Sequence, residues 1–242
     1  MFFMDKKVAE KQTVVLKPSA TLSEAQDIAE KKKTNMFGNV FNRPKPDEIN
    51  ISSTDLYYEP YWLVHGKYSG DYFRKTVYEF STDPEVTEVI IGNGTFPIRS
   101  ESGTWNKLRD TVKIGEKNNK VDIPVEEHVK LDIEEKIVFN SQGNEVKFKY
   151  KIESKNIENF PKDVLNDNEN NVRESTINEA QIIEKMIHIL RQEIDQDVRM
   201  IHESVIIDKV EEIFVPVYEA RCVDSKNTIK IMRIDAMDAK IL

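Results

Sequence analysis

Thr176-Ile177-Asn178-Glu179-Ala180-Gln181-Ile182-Ile183-Glu184-Lys185-Met186-Ile187-His188-Ile189-Leu190 opens the most strongly periodic segment of the chain. Thr176 and Glu179 have capping-box spacing, in which each side chain satisfies an orphan N–H of a helix's first turn. Ile183, Met186, Ile187, Leu190, Ile194, Val198, Ile201 and Val205 then recur at steps of three and four, the spacing of one helical face. The pattern predicts a helix of roughly 27 residues, about 40 Å long at ~1.5 Å per residue. Such a helix lies along a whole sheet or pairs with a second copy of itself. Ile183, Ile187, Leu190, Ile194 and Ile201 are therefore the candidate self-association residues, and a homo-oligomer is expected.

On the C-terminal side of this segment the pattern turns to β. Residues 212–224 and 228–235 read as a strand pair joined at Ser225-Lys226-Asn227, with Phe214, Pro216, Tyr218, Ala220 and Cys222 on one face. On its N-terminal side, residues 153–176 hold Asn156, Asn159, Asn166, Asn168, Asn170 and Asn171 among acidic residues and read as a linker. Before that, residues 136–140 and 145–152 read as a hairpin. Its second strand alternates Val146, Phe148, Tyr150 and Ile152 with Lys147, Lys149 and Lys151, giving a core face and a basic face.

Residues 51–152 form the expected antiparallel β domain. Leu56-Tyr57-Tyr58-Glu59-Pro60-Tyr61-Trp62-Leu63-Val64 and Lys75-Thr76-Val77-Tyr78-Glu79-Phe80 are dense in aromatic and branched residues, and Gly92-Asn93-Gly94 is a tight-turn signal. Alternation sends Tyr58 and Trp62 to one face and Tyr57 and Tyr61 to the other. One face is core; the other is a second buried layer beneath a helix or an exposed aromatic surface. Residues 1–50 supply a short strand, a helix opened by the Thr21-Leu22-Ser23-Glu24 capping box, and a connection through Arg43-Pro44-Lys45-Pro46. The fold class expected is α+β, antiparallel sheet packed by two main helices, with residues 177–242 forming a helix-plus-hairpin unit.

The order capped helix, aromatic-proline strand, second strand occurs twice, with Pro60 aligned on Pro216, Tyr58 on Phe214 and Trp62 on Tyr218. This suggests two tandem half-units. Val217-Tyr218-Glu219-Ala220-Arg221 followed by Asp235-Ala236-Met237-Asp238-Ala239-Lys240-Ile241 resembles the strand pair of PepSY-type domains. That family ends its second strand in Asp-Ala-x-Thr-Gly-Lys, so Asp238 and Ala239 depart from it. Arg43-Pro44-Lys45-Pro46 with Tyr58-Glu59-Pro60-Tyr61-Trp62 resembles a family of archaeal proteins of unassigned activity. These resemblances imply a fold and carry no catalytic residues.

The chain has 242 residues, a formal net charge of -8, eight Gly and one Cys. One cysteine makes no internal disulfide and fits a reducing compartment. No apolar run reaches the ~18 residues of a membrane span, and Met1-Phe2-Phe3-Met4 is too short for a signal segment. A cytoplasmic protein is expected. Neither Gly-x-x-x-x-Gly-Lys nor Gly-x-Gly-x-x-Gly occurs, which excludes phosphate-loop and Rossmann enzymes. Glu126-Glu127-His128 has carboxylate and imidazole together, but neighbouring strand residues point to opposite faces. Glu184 and His188 share a helical face without a third ligand, so no metal and no cofactor is expected. Cys222 falls on a core face, and His202-Glu203-Ser204 is mere chain adjacency.

The expected function is non-enzymatic recognition of an unidentified protein partner. Tyr57, Tyr61, Trp62 and His65 are the candidate binding residues, and the long helix serves self-association. One alternative is a carrier of a small or lipid-like ligand on the aromatic β face. Another is a nucleic-acid or ribosome-associated factor using Lys147, Lys149 and Lys151, which the net negative charge opposes.

Overall fold

The computed structural model describes residues 4–37, 44–99, 119–194 and 197–242. Met1, Phe2, Phe3 and Arg43, on which parts of the sequence reading rest, lie outside the described residues. Of the described residues 54% are strand and 20% helical, with one large mixed sheet and three short helices. The expected α+β fold with two main helices is therefore corrected to a mainly β architecture.

The strands are β1 (Asp5–Val8), β2 (Lys11–Val15), β3 (Ile49–Thr82), β4 (Glu88–Ile91), β5 (Gly94–Arg99), β6 (Asn119–Asn140), β7 (Val198–Asp224) and β8 (Ile229–Asp235). The helices are α1 (Leu22–Lys32), α2 (Pro161–Asp167) and α3 (Glu179–Leu190). The sheet order is β1-β7-β3-β6-β5-β4, with β2 and β8 also pairing β7. β2 runs parallel to β7, placing Val15 opposite Phe214, and β8 runs antiparallel, placing Ile234 opposite Tyr218. The two aromatic-proline strands β3 and β7 are neighbours in one sheet.

The long helix is the main correction. α3 ends at Leu190, and the chain is extended again from Val198. The apolar steps of three and four continue past Leu190, but Val198, Ile201, Val205, Ile206 and Ile207 are β-branched, and such side chains fit a pleated surface better than a helix. α3 itself is capped by Asn178 and Gln181, not by Thr176 and Glu179: Gln181 N donates to Asn178 Oδ1 and Asn178 N donates to Gln181 Oε1, each at 3.0 Å. Thr176 instead donates its hydroxyl to the Ser141 carbonyl at 2.9 Å.

The chain divides into two compact units, each built from several stretches. The first comprises Met1–Asp5, Tyr68–Asp132 and Gln192–Ser204. Its hairpin sets Ile91 of β4 opposite Gly94 of β5 around a Gly92 with φ +62°. Here Glu126, Glu127 and His128 go to three different partners. Arg199 meets Glu126 at 2.9 Å, Arg74 meets Glu127 at 2.8 Å, and His128 Nε2 lies 2.5 Å from Asp71. Arg199 also lies over Phe73, which stacks on His128 with centroids 4.6 Å apart.

The second unit comprises Lys6–Lys67, Ile133–Arg191 and Val205–Leu242. One face of its sheet carries the helices. Ala25 and Ala29 of α1 pack with Tyr218, Ala220, Cys222 and Ile234. Val164 and Leu165 of α2 pack with Val15, Tyr58 and Phe214. α3 presses on Gly66, where a Cβ would stand 2.8 Å from Ile207 Cδ1 and 3.0 Å from Leu190 Cδ1. The residues expected as an Asn-rich linker, 153–176, contain α2 and bridge the sheet, Ile157 to Leu16 and Val172 to Tyr58. Four apolar side chains there, Ile157, Val164, Leu165 and Val172, find hydrophobic partners despite the asparagine-rich composition.

Candidate recognition groove

The opposite face of the second unit is covered by chain rather than by helix. After the turn at Ser141-Gln142-Gly143, residues 144–153 leave β6 and cross the sheet as a strap. Asn140 N donates to the Asn144 carbonyl and Val146 N donates to the Val138 carbonyl, both at 2.9 Å. Beyond that point the alternation expected from sequence holds while the pairing does not. Val146, Phe148, Tyr150 and Ile152 are half-buried, and Lys147, Lys149 and Lys151 are exposed. Phe148, Tyr150 and Ile152 pack on Leu16, Leu63, Ile213 and Val215, with Phe148 5.7 Å from Tyr61 and 5.2 Å from Tyr150. Hydrophobic contact with the sheet thus replaces a hydrogen-bonded ladder.

The far end of the strap is fastened to the C-terminal turn. Asp235 is fully buried, and its carboxylate accepts from the Tyr150 hydroxyl at 2.9 Å and from Met237 N at 2.8 Å while pairing with Lys149. Lys149 also lies 3.7 Å from Asp238. The bond to Asp235 raises the Lys149 pKa above its usual value, and burial, reinforced by Asp235, does the same for the Tyr150 phenol. The turn itself places Ala239 at φ +58°.

Between strap and sheet runs an open groove of about 550 Å³, lined on its floor by Leu63, Ile137 and Val138 and on its wall by Val146, Phe148, Tyr150 and Ile152. Lys136, Lys151 and Lys209 supply cations, Glu145 and Glu153 anions. Lys209 reaches this face because β7 slips its pleat by one residue. Ile207 and Phe214 both face the helices, yet Asp208 meets His65 and Lys209 lines the groove beside Leu63. Such an extra residue is the geometry of a β-bulge, which re-aims side chains. Lys209 is held at 2.9 Å from the buried Glu211 carboxylate. Lys136 and Lys151 make no ion pair within 4 Å among the described residues.

The sequence-derived candidates disperse. Trp62 is 2% exposed, donating to Ser175 Oγ at 3.2 Å beneath Lys11, and belongs to the core. Tyr57 is half-buried under the Arg173 guanidinium, 4.4 Å from its ring. Tyr61 supports the strap, and burial raises its pKa. His65 is clamped, Nδ1 at 2.5 Å from Asp208 and Nε2 at 2.9 Å from Glu134, with Lys67 3.3 Å from Glu134. Ile183, Ile187 and Leu190 are buried in the second unit, so their apolar surface is already used. Ile194 is half-buried and Ile201, on β7, is 47% exposed. Lys147 remains on the strap's outer face and Lys151 reaches the rim of the groove, whereas Lys149 is committed to Asp235. Cys222 is buried, and burial pushes its thiol pKa up.

Sequence reasoning missed Lys136, Lys209, Leu63 and Asp235 as parts of one place. Only Asp235 had a signal, the Asp235-Ala236 turn motif facing a tyrosine-bearing strand. Among the described residues no group of three or more His, Cys, Asp or Glu side chains is placed to hold a metal, and no helix is long and apolar enough to cross a membrane. No protein-family model, no curated protein and no solved structure matches the chain.

Proposed function

We propose that this chain is a non-enzymatic, cytoplasmic recognition module that holds a protein partner in the groove beside the strap. The observation that carries the reading is the groove's make-up, an apolar and aromatic wall and floor with Lys136 and Lys151 at its rim beside Glu145 and Glu153, neither lysine in an ion pair within 4 Å among the described residues. Interfaces draw affinity from such apolar and aromatic anchors and specificity from charges around them. Tyr61 acts indirectly, by seating Phe148. A nucleic-acid role is less well supported, because one of the three strap lysines is neutralised by Asp235.

The test is co-purification of the tagged protein from its native lysate, comparing wild type with the Lys136→Glu, Lys151→Glu double variant. A stoichiometric, nuclease-resistant partner that the double variant loses, with its melting temperature within a few degrees of wild type, supports the reading. A partner retained by the double variant, or capture that vanishes with nuclease, overturns it. Lys209 is left unchanged in this variant because its ammonium compensates the buried Glu211.

A further inference from the structure

The strap has a strand's conformation without a strand's partners. Its side chains alternate inward and outward over residues 146–152. Yet residues 147–152 make no backbone hydrogen bond to any described residue, and the Lys151 carbonyl receives only the Asn156 side-chain amide at 3.5 Å. Each of these residues carries a donor and an acceptor that no main-chain group among the described residues meets. An extended segment with free N–H and C=O groups is a template for a further strand, and this is a recurring mode of peptide capture.

Resting on the groove reading above, we propose that the partner enters as an extended acidic segment that adds as a strand along residues 147–152. Main-chain hydrogen bonds to the strap supply affinity. Alternate side chains of the segment point into the groove against Leu63, Val138 and Phe148, and its carboxylates meet Lys136 and Lys151. The exposed Lys147 adds to the same positive potential. Charge sets the choice of partner: Glu153 is held by Lys155 at 3.0 Å, so Lys136, Lys147 and Lys151 outnumber Glu145 along the segment's path, and like charges across an interface select against a basic ligand. The Asp235 fastening and the Tyr61–Phe148 contact hold the strap extended in advance, so little ordering entropy is lost at binding.

The test follows backbone amide exchange of residues 147–152 in the full chain, mixed with a synthetic peptide of alternating Glu and Val. Parallel samples contain the Lys-Val counterpart, a Glu-Val peptide N-methylated along its backbone, and a short single-stranded RNA. Strand addition slows exchange at alternate amides within residues 147–152, those on the paired edge, by about tenfold or more with the Glu-Val peptide alone, as expected when opening requires dissociation. Equal slowing by the Lys-Val peptide overturns the acidic preference, and equal slowing by the N-methylated peptide overturns main-chain pairing. Slowing by RNA overturns the choice of a polypeptide. If no peptide slows exchange while partner capture still depends on Lys136 and Lys151, strand addition fails and the groove reading stands. If capture is also indifferent to those lysines, both fail.

Discussion

Asp235 shows how much one buried carboxylate can organise. It receives a phenol, an ammonium group and a main-chain N–H, and each of these belongs to a different part of the strap or the terminal turn. Hydrogen bonds to a charged group contribute about 1.5–3 kcal/mol, so Tyr150→Phe is expected to lower stability by that amount in urea unfolding. The pH dependence has a definite sign. Lys149 and Tyr150 both have folded-state pKa values raised above their unfolded ones. Their contribution is therefore complete below about pH 10, where the unfolded groups titrate, and is lost as pH rises through the folded values. Melting temperature followed from pH 8 to 11 is expected to fall less steeply in Tyr150→Phe than in wild type. Ala239 offers the opposite case. At φ +58° an alanine costs about 1–2 kcal/mol relative to an unstrained position, so Ala239→Gly is expected to raise stability by up to about 1 kcal/mol once glycine's extra chain entropy is deducted.

Elements fit where side chains permit close approach. β3 runs unbroken through Gly66 because that glycine admits α3 to the sheet, its missing Cβ leaving room for Ile207, Leu190 and Met186. Gly66→Val is expected to cost about 1–3 kcal/mol through overpacking, measured as a fall in the denaturation midpoint. The same packing makes Ile187→Asp a core lesion, and loss of the folded signal in circular dichroism is the expected outcome. Much of this level was legible in the sequence. The Thr21–Glu24 capping box forms as its spacing implies, and the strap alternates as its lysines imply. The long helix misled because apolar steps of three and four persist into β7, where β-branched residues and sheet neighbours decide the conformation. The glycines and polar residues between Val64 and Lys75 resemble a break between strands, but β3's neighbours carry the chain straight through.

For the whole molecule, the difference between sequence and structure lies in long-range placement. Lys136 on β6, Leu63 on β3, Lys209 on β7 and Phe148 on the strap form one groove through strand order and a one-residue pleat slip, and neither leaves a local pattern. Trp62 and Tyr61 read alike as aromatic binding residues, yet the pleat sends Trp62 beneath Ser175 and Tyr61 under the strap. A photo-crosslinking amino acid at position 151, with a control at Lys31 on α1, tests most directly whether the groove is where this protein meets its partner. In native lysate, crosslinks to a single protein are expected from position 151 and none from position 31. Crosslinks confined to position 31, or to nucleic acid from position 151, would contradict a protein-binding groove beside the strap.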